Sequence, residues 1–238
     1  MARSIVLVHG AWHGAWCWYR VVPALRALGL APLTPDLPGH GADRTLHRDC
    51  TLANYVARII DAIDAIDGPV TLVGHSLAGL VIRQVAEARP GRIARLVYLA
   101  AFLPADGDSC ATLGPPDPDS ELARGSAVVA DGAAIAVSPE AAARVFYHDC
   151  APADVALAER LLVPEPLEPI LAPVRLANPL AARIPRTYIG CENDRVIAIA
   201  RQRQMWMHGG CDRVATLATG HSPFFAAPDA LASLLAHA

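Results

Sequence analysis

The sequence predicts an α/β fold with a mostly parallel, doubly wound sheet, in a 238-residue chain read as one domain. Three observations predict it. Short aliphatic and β-branched runs recur at residues 5–8, 31–34, 70–73, 95–101, 186–191 and 213–217. Helix-period stretches lie between the earlier ones, as strand–helix–strand units require. From 104 to about 183 the strand signals stop and prolines crowd, at 115, 116, 118, 152, 164, 166, 169, 173 and 179. A connection that long is expected to carry structure of its own, so the core is assigned to 1–103 and 184–238.

The elements follow in order. Ile5-Val6-Leu7-Val8-His9-Gly10 reads as a buried strand ending in glycine and leads into the loop Ala11-Trp12-His13-Gly14. Trp16 to Leu28 reads as a helix stopped by Gly29, and Ala31 to Thr34 as a short strand. In Asp36-Leu37-Pro38-Gly39-His40-Gly41, proline fixes φ and the glycines permit positive φ, giving a rigid loop. Residues 51–67 place Leu52, Val56, Ile59, Ile60 and Ile63 on one helical face before Gly68-Pro69 ends the run. A strand from Val70, a helix from Leu77 to Ala88 and a strand from Arg95 to Ala101 come next. Within the insertion, short helices are expected inside Pro139–Tyr147 and Ala153–Leu162.

Composition narrows the function. Net charge is −3 with both signs dispersed and no basic stripe, so no nucleic-acid partner is expected. No run of about 18 apolar residues offers a membrane span. Met1-Ala2-Arg3-Ser4 leads straight into a strand, so no leader is expected and the location is read as cytoplasmic. The six cysteines contain no Cys-x-x-Cys and the nine histidines no His-Glu-x-x-His, so neither a metal nor another cofactor is expected, and the thiols are read as reduced. All twenty basic side chains are arginine, which excludes Schiff-base and P-loop lysine chemistry. Arginine-only basic residues with heavy alanine use suggest a GC-rich bacterial genome.

The chemistry is concentrated at Val70-Thr71-Leu72-Val73-Gly74-His75-Ser76-Leu77-Ala78-Gly79. A serine on a sharp strand-to-helix turn has its hydroxyl pushed clear of the backbone and sits beside unpaired helix N–H groups. The pattern departs from Gly-x-Ser-x-Gly at Ala78, with Gly79 following. Such a run also arises where a strand and a helix merely meet at a serine, so its context decides. The loop after the first strand can aim a backbone N–H at the same place, or be a plain turn. Late in the chain, Glu192-Asn193-Asp194 follows one strand and Gly220-His221 another. In a parallel sheet, groups beyond the carboxyl ends of strands share one crevice.

Taken together, Val6–Trp18, Asp36–Gly41, Gly74-His75-Ser76-Leu77, Cys191–Asp194 and Gly220-His221 resemble the α/β-hydrolase branch of plant methyl esterases, hydroxynitrile lyases and their bacterial esterase-like relatives. The resemblance covers roughly 4–103 and 184–237. It implies the α/β-hydrolase fold with a helical cap over about 104–183. It implies Ser76 as nucleophile, His221 as base, Asp194 as orienting acid, and an oxyanion hole from the N–H groups of Ala11 and Leu77. Glu192, Asp149 and Asp106 remain rivals for the acid. Trp12, His75, Leu103 and Phe146 are the expected pocket walls, and His9 is expected to bond neighbouring loops. Where the lyases tend to carry threonine, glutamate and lysine, this chain has Gly10, His75 and Ser222. An esterase for small uncharged aryl or short acyl esters is therefore expected. A carbon–carbon bond hydrolase or lyase on the same triad, or a receptor-like ligand-binding homologue, is the alternative, and the resemblance leaves a homodimer open.

Overall fold

In the computed structural model, which describes residues 3–114 and 120–238, the strands run in chain order as β1 (Arg3–Val8), β2 (Leu30–Leu33), β3 (Val70–His75), β4 (Ile93–Leu99), β5 (Ser126–Val129), β6 (Ala134–Val137), β7 (Glu165–Pro166), β8 (Arg186–Cys191) and β9 (Arg213–Leu217). The start of the chain at Met1-Ala2 and the prolines at 115, 116 and 118 lie outside the described residues. Six strands form one parallel sheet in the order β2-β1-β3-β4-β8-β9.

The two-residue period of the strands builds two cores, one on each face. Val6, Val8, Leu72 and Leu96 pack on one side with Tyr55, Ile59 and Ile63 of helix Leu52–Asp64 and with Val81 and Val85 of helix Ala78–Ala88. Ile5, Leu7, Val73, Val97 and Leu99 pack on the other with Val21 and Leu25 of helix Val21–Ala27 and with Leu231 and Leu235 of helix Pro228–Ala236. Strands buried on both faces explain the near-continuous apolar runs in the sequence. Thr51 caps helix Leu52–Asp64 by accepting from the Asn54 N–H at 3.1 Å, one residue inside the expected start.

One element differs from expectation for a visible reason. The segment 16–28 is a 3-10 turn at Ala15–Trp18 followed by helix Val21–Ala27, because one continuous helix would put Pro23 in its interior. The break leaves Pro23 in a first turn, where its missing N–H costs nothing. Strand β2 contains Pro32 and is tolerated because it lies at the sheet edge.

Between β4 and β8 the chain forms the expected helices, Pro139–Val145 and Pro152–Leu161. It also forms a small antiparallel sheet, β5-β6-β7, that no strand signal in the sequence announces. Its strands are four, four and two residues long, and Val128 is exposed, so no alternating pattern long enough to read exists there. All six cysteines are free, with Cys17, Cys50 and Cys191 buried.

Candidate active site

The sharpest turn in the core follows β3. Ser76 has φ +55, a left-handed conformation that costs a side-chain-bearing residue about 1–3 kcal/mol and persists only where neighbours fix it. Here the Ser76 N–H donates to the Leu99 carbonyl at 3.2 Å, and its own carbonyl accepts from Gly79 and Phe102, each at 3.1 Å. The departure at Ala78 is explained by Gly79. A Cβ on Gly79 would stand 1.9 Å from the Phe102 carbonyl oxygen, so glycine is required one position later than the usual pattern places it.

His221 lies in the loop after β9 and Asp194 in the loop after β8, both nearly fully buried. His221 Nδ1–H donates to Asp194 Oδ2 at 2.8 Å. That oxygen also accepts from Gln202 at 3.1 Å, while Oδ1 accepts from the N–H groups of Val196 at 2.7 Å and Ile197 at 2.9 Å. Four donors fix the carboxylate and leave Nε2 as the free nitrogen of His221. The other acids lie elsewhere. Glu192 accepts from the Thr216 hydroxyl, Asp149 from the Gly220 N–H and Asp106 from the Leu176 N–H.

His75 joins Ser76 to this pair. Its Nε2–H donates to the His221 carbonyl at 2.8 Å, and the two imidazole centroids are 4.6 Å apart. The Ser76 hydroxyl is not hydrogen-bonded to His221; nucleophile–base contacts often tighten only once substrate is bound. The loop after β1 closes the other side. A Cβ on Gly10 would stand 2.9 Å from both the Ser76 Cβ and His75 Nδ1, so glycine lets this loop approach the serine. The N–H groups of Ala11 and Leu77 have no acceptor among the described residues. Among those residues no cluster of three or more His, Cys, Asp or Glu is placed to hold a metal ion.

The expected pocket walls separate into two groups. Trp12 and Phe146 stand together at the site, their ring centroids 5.5 Å apart and Phe146 6.0 Å from His221. His75 is not a pocket wall: it is fully buried among Trp18, Phe224 and His13, and supports His221 from behind. Leu103 is buried as well. It packs on Gly209, where an added Cβ would meet it at 2.2 Å, and lines a cleft of about 570 Å³ with Arg83, Arg186, Arg201 and Met205, whose lining does not include Ser76. His9 does bond neighbouring loops: Nδ1–H donates to the Gly10 carbonyl and Nε2 accepts from the Leu37 N–H.

Several supporting residues carry no signal in the sequence. Gln202 gives no sign beyond being polar on a helix, and the Tyr147 hydroxyl on His13 Nε2 at 2.7 Å depends on tertiary packing. Glu165 of β7, flanked by prolines, is buried against His40 and Tyr55.

The buried histidines set the acid stability. Burial, reinforced by neighbouring imidazoles, pushes His9, His13 and His75 below the usual histidine range, His13 to about 3. The unfolded chain takes up protons that these native residues refuse, so their contribution is present above about pH 6.5 and is lost as pH falls below it. The slope reaches roughly 1.4 kcal/mol per pH unit for each histidine. His40 works in the opposite sense. Burial would lower it, but the Glu165 carboxylate outweighs this and holds it raised, so its contribution fades as pH rises through the folded value. Urea midpoints at pH 7.5 and pH 5 are expected to fall on acidification, less steeply in His13→Gln; a flat profile would remove this account.

The family model described as Alpha/beta hydrolase family matches residues 5–234. The Pyrethroid hydrolase of Sphingobium wenxiniae is 32% identical over 249 residues, covering 98% of this chain and 86% of that protein. Methyl jasmonate esterase 1 of Vitis vinifera is 29% identical, covering 95% and 92% respectively. The crystal structure of a pyrethroid hydrolase from Sphingobium faniae superposes with a TM-score of 0.87 at 29% identity, covering all of this chain and 97% of the other.

Proposed function

The chain belongs to the alpha/beta hydrolase family and is a carboxylic ester hydrolase, and on that premise we propose a serine esterase that cleaves small uncharged esters, aryl or short acyl. The observation that carries this reading is the buried Asp194–His221 hydrogen bond beside a serine held at positive φ.

Ser76 attacks the ester carbonyl as His221 Nε2 takes its proton, and Asp194 stabilises the imidazolium that forms. The tetrahedral oxyanion is held by the N–H groups of Ala11 and Leu77. Each such donor is worth about 2.7–4 kcal/mol, which is why a loop carrying no reactive side chain matters as much as the triad. His221 then protonates the leaving alcohol. Water repeats the cycle on the acyl-enzyme and releases the acid.

The substrate class rests on three supports. The aromatic pair Trp12 and Phe146 beside His221 suits an apolar acyl or alkoxy group. Ser76 is only 7% exposed, which favours a small substrate. The relatives named for pyrethroids and methyl jasmonate act on uncharged esters by those names. A lyase is disfavoured, because no threonine hydroxyl fits where a Cβ on Gly10 would already press on Ser76.

The test is a panel of p-nitrophenyl esters of increasing acyl length, with methyl salicylate and a pyrethroid-like ester. Turnover is expected on the short and aryl members, with kcat/KM falling as the acyl chain lengthens. No turnover on any member by a folded chain would overturn the esterase reading.

A further inference from the structure

Glu165 belongs to the insertion, 89 positions from Ser76 in the sequence, and is fully buried. Its Oε2 accepts from His40 Nε2–H at 2.8 Å and from the Trp12 N–H at 3.0 Å, and its Oε1 from the Tyr55 hydroxyl at 3.1 Å. His40 Nδ1–H donates to the Pro38 carbonyl at 3.0 Å, so both ring nitrogens act as donors and the pair is imidazolium and carboxylate. Desolvation offsets much of the attraction within a buried ion pair, so stability alone is a weak reason for one to be here. Its location supplies a better reason.

Trp12 is held at φ +63, a conformation that must be imposed by its surroundings. All three of its polar groups are taken by the insertion: the N–H by Glu165, the carbonyl by the Val163 N–H at 3.0 Å, and the indole N–H by the Ile135 carbonyl at 2.8 Å. The peptide unit between Ala11 and Trp12 is gripped at both ends. Its N–H is on Glu165, and its carbonyl accepts from His13 Nδ1–H at 2.7 Å. Tyr147, also from the insertion, holds the other nitrogen of His13. One peptide upstream, the Gly10 carbonyl is held by His9, and the Ala11 N–H on that same unit is left unclaimed.

We propose that Glu165 is a positioning residue: through the Trp12 N–H it fixes the loop that points the Ala11 N–H at Ser76, so that the insertion completes the oxyanion hole. This rests on the serine esterase reading. Glycine at position 10 gives the loop its close approach but no stiffness, and the insertion supplies the stiffness. Glu165→Gln preserves shape but offers one acceptor oxygen to three donors, so the Trp12 N–H must compete for it.

The experiment compares wild type, Glu165→Gln and Tyr55→Phe, with kcat expressed per site titrated by a fluorophosphonate. Two inhibitors are added: a trifluoromethyl ketone, which forms an oxyanion on the serine, and the product acid, which does not. In Glu165→Gln, kcat per site and ketone affinity are expected to fall together by about 10- to 100-fold, while KM and acid affinity change by less than about threefold. Tyr55→Phe removes a bond to the other oxygen and is expected to lower Tm while keeping kcat per site within about twofold. Unchanged kcat per site and ketone affinity in Glu165→Gln would overturn the inference, whatever happens to its Tm. If Glu165→Gln yields no folded chain, Tyr147→Phe must show the same paired loss, and its absence overturns the inference. A wild type that takes no label at Ser76 overturns the esterase reading and this inference with it. A labelled wild type with an unaltered variant overturns this inference alone.

Discussion

Ser76→Ala is expected to lower kcat/KM on any hydrolysed ester by roughly 10^4- to 10^6-fold, and His221→Ala by a similar factor. On the proposed mechanism the sizes coincide because neither residue acts alone. The hydroxyl is a poor nucleophile until Nε2 of His221 takes its proton, and that nitrogen has no use once the hydroxyl is gone. The double variant is therefore expected to be no slower than either single one. On the proposed mechanism, what remains is expected to come from the Ala11 and Leu77 N–H groups polarising a bound ester. The Ser76→Ala fold should survive, since the turn is pinned through the serine's backbone to Leu99, Gly79 and Phe102 and not through its hydroxyl. Alanine keeps the same strained φ that serine already bears, so Tm is expected to change little beside the large loss of rate. Steady-state kinetics with circular dichroism checks both. A folded Ser76→Ala chain with wild-type turnover would end the serine mechanism.

Much of the candidate site's arrangement was legible because its residues coincide with strand ends. Gly74-His75-Ser76, Glu192-Asn193-Asp194 and Gly220-His221 each follow an apolar run, and a parallel sheet turns that linear fact into a shared crevice. The roles of the neighbours were less legible. His75 and Leu103 lie close in sequence to the serine or to a strand end, yet one is buried behind His221 and the other packs on Gly209. Side-chain direction after a turn depends on the backbone dihedrals there, and Ser76 and Ala100 both take positive φ. The insertion was hardest. Strands of two to four residues carry no readable period, and Glu165 between two prolines looks like a solvated acid until the fold sets it against Trp12, His40 and Tyr55.

Asp194→Asn is expected to cost about 10^4-fold in kcat with little change in KM. The carboxylate faces donors on both sides: His221 and Gln202 on Oδ2, Val196 and Ile197 on Oδ1. An asparagine amide has one oxygen, so either orientation points its NH2 group at a pair of donors. With its oxygen on the two backbone N–H groups, the amide turns its nitrogen toward His221. The imidazole can then receive that hydrogen bond only by moving its own proton to Nε2. That tautomer has no lone pair for the Ser76 proton, so the defect lies in the chemical step and not in binding. With its oxygen on His221 instead, the amide abandons Val196 and Ile197, and Tm is expected to fall. Either way the histidine is misplaced or misprotonated. Glu192→Gln is the matched control, since Glu192 is exposed and bonded to Thr216 and is expected to keep kcat within about twofold. If Asp194→Asn retained kcat while Asp149→Asn lost it, the acid would be the residue that holds the Gly220 N–H, and His221 would have to turn toward the insertion to reach it.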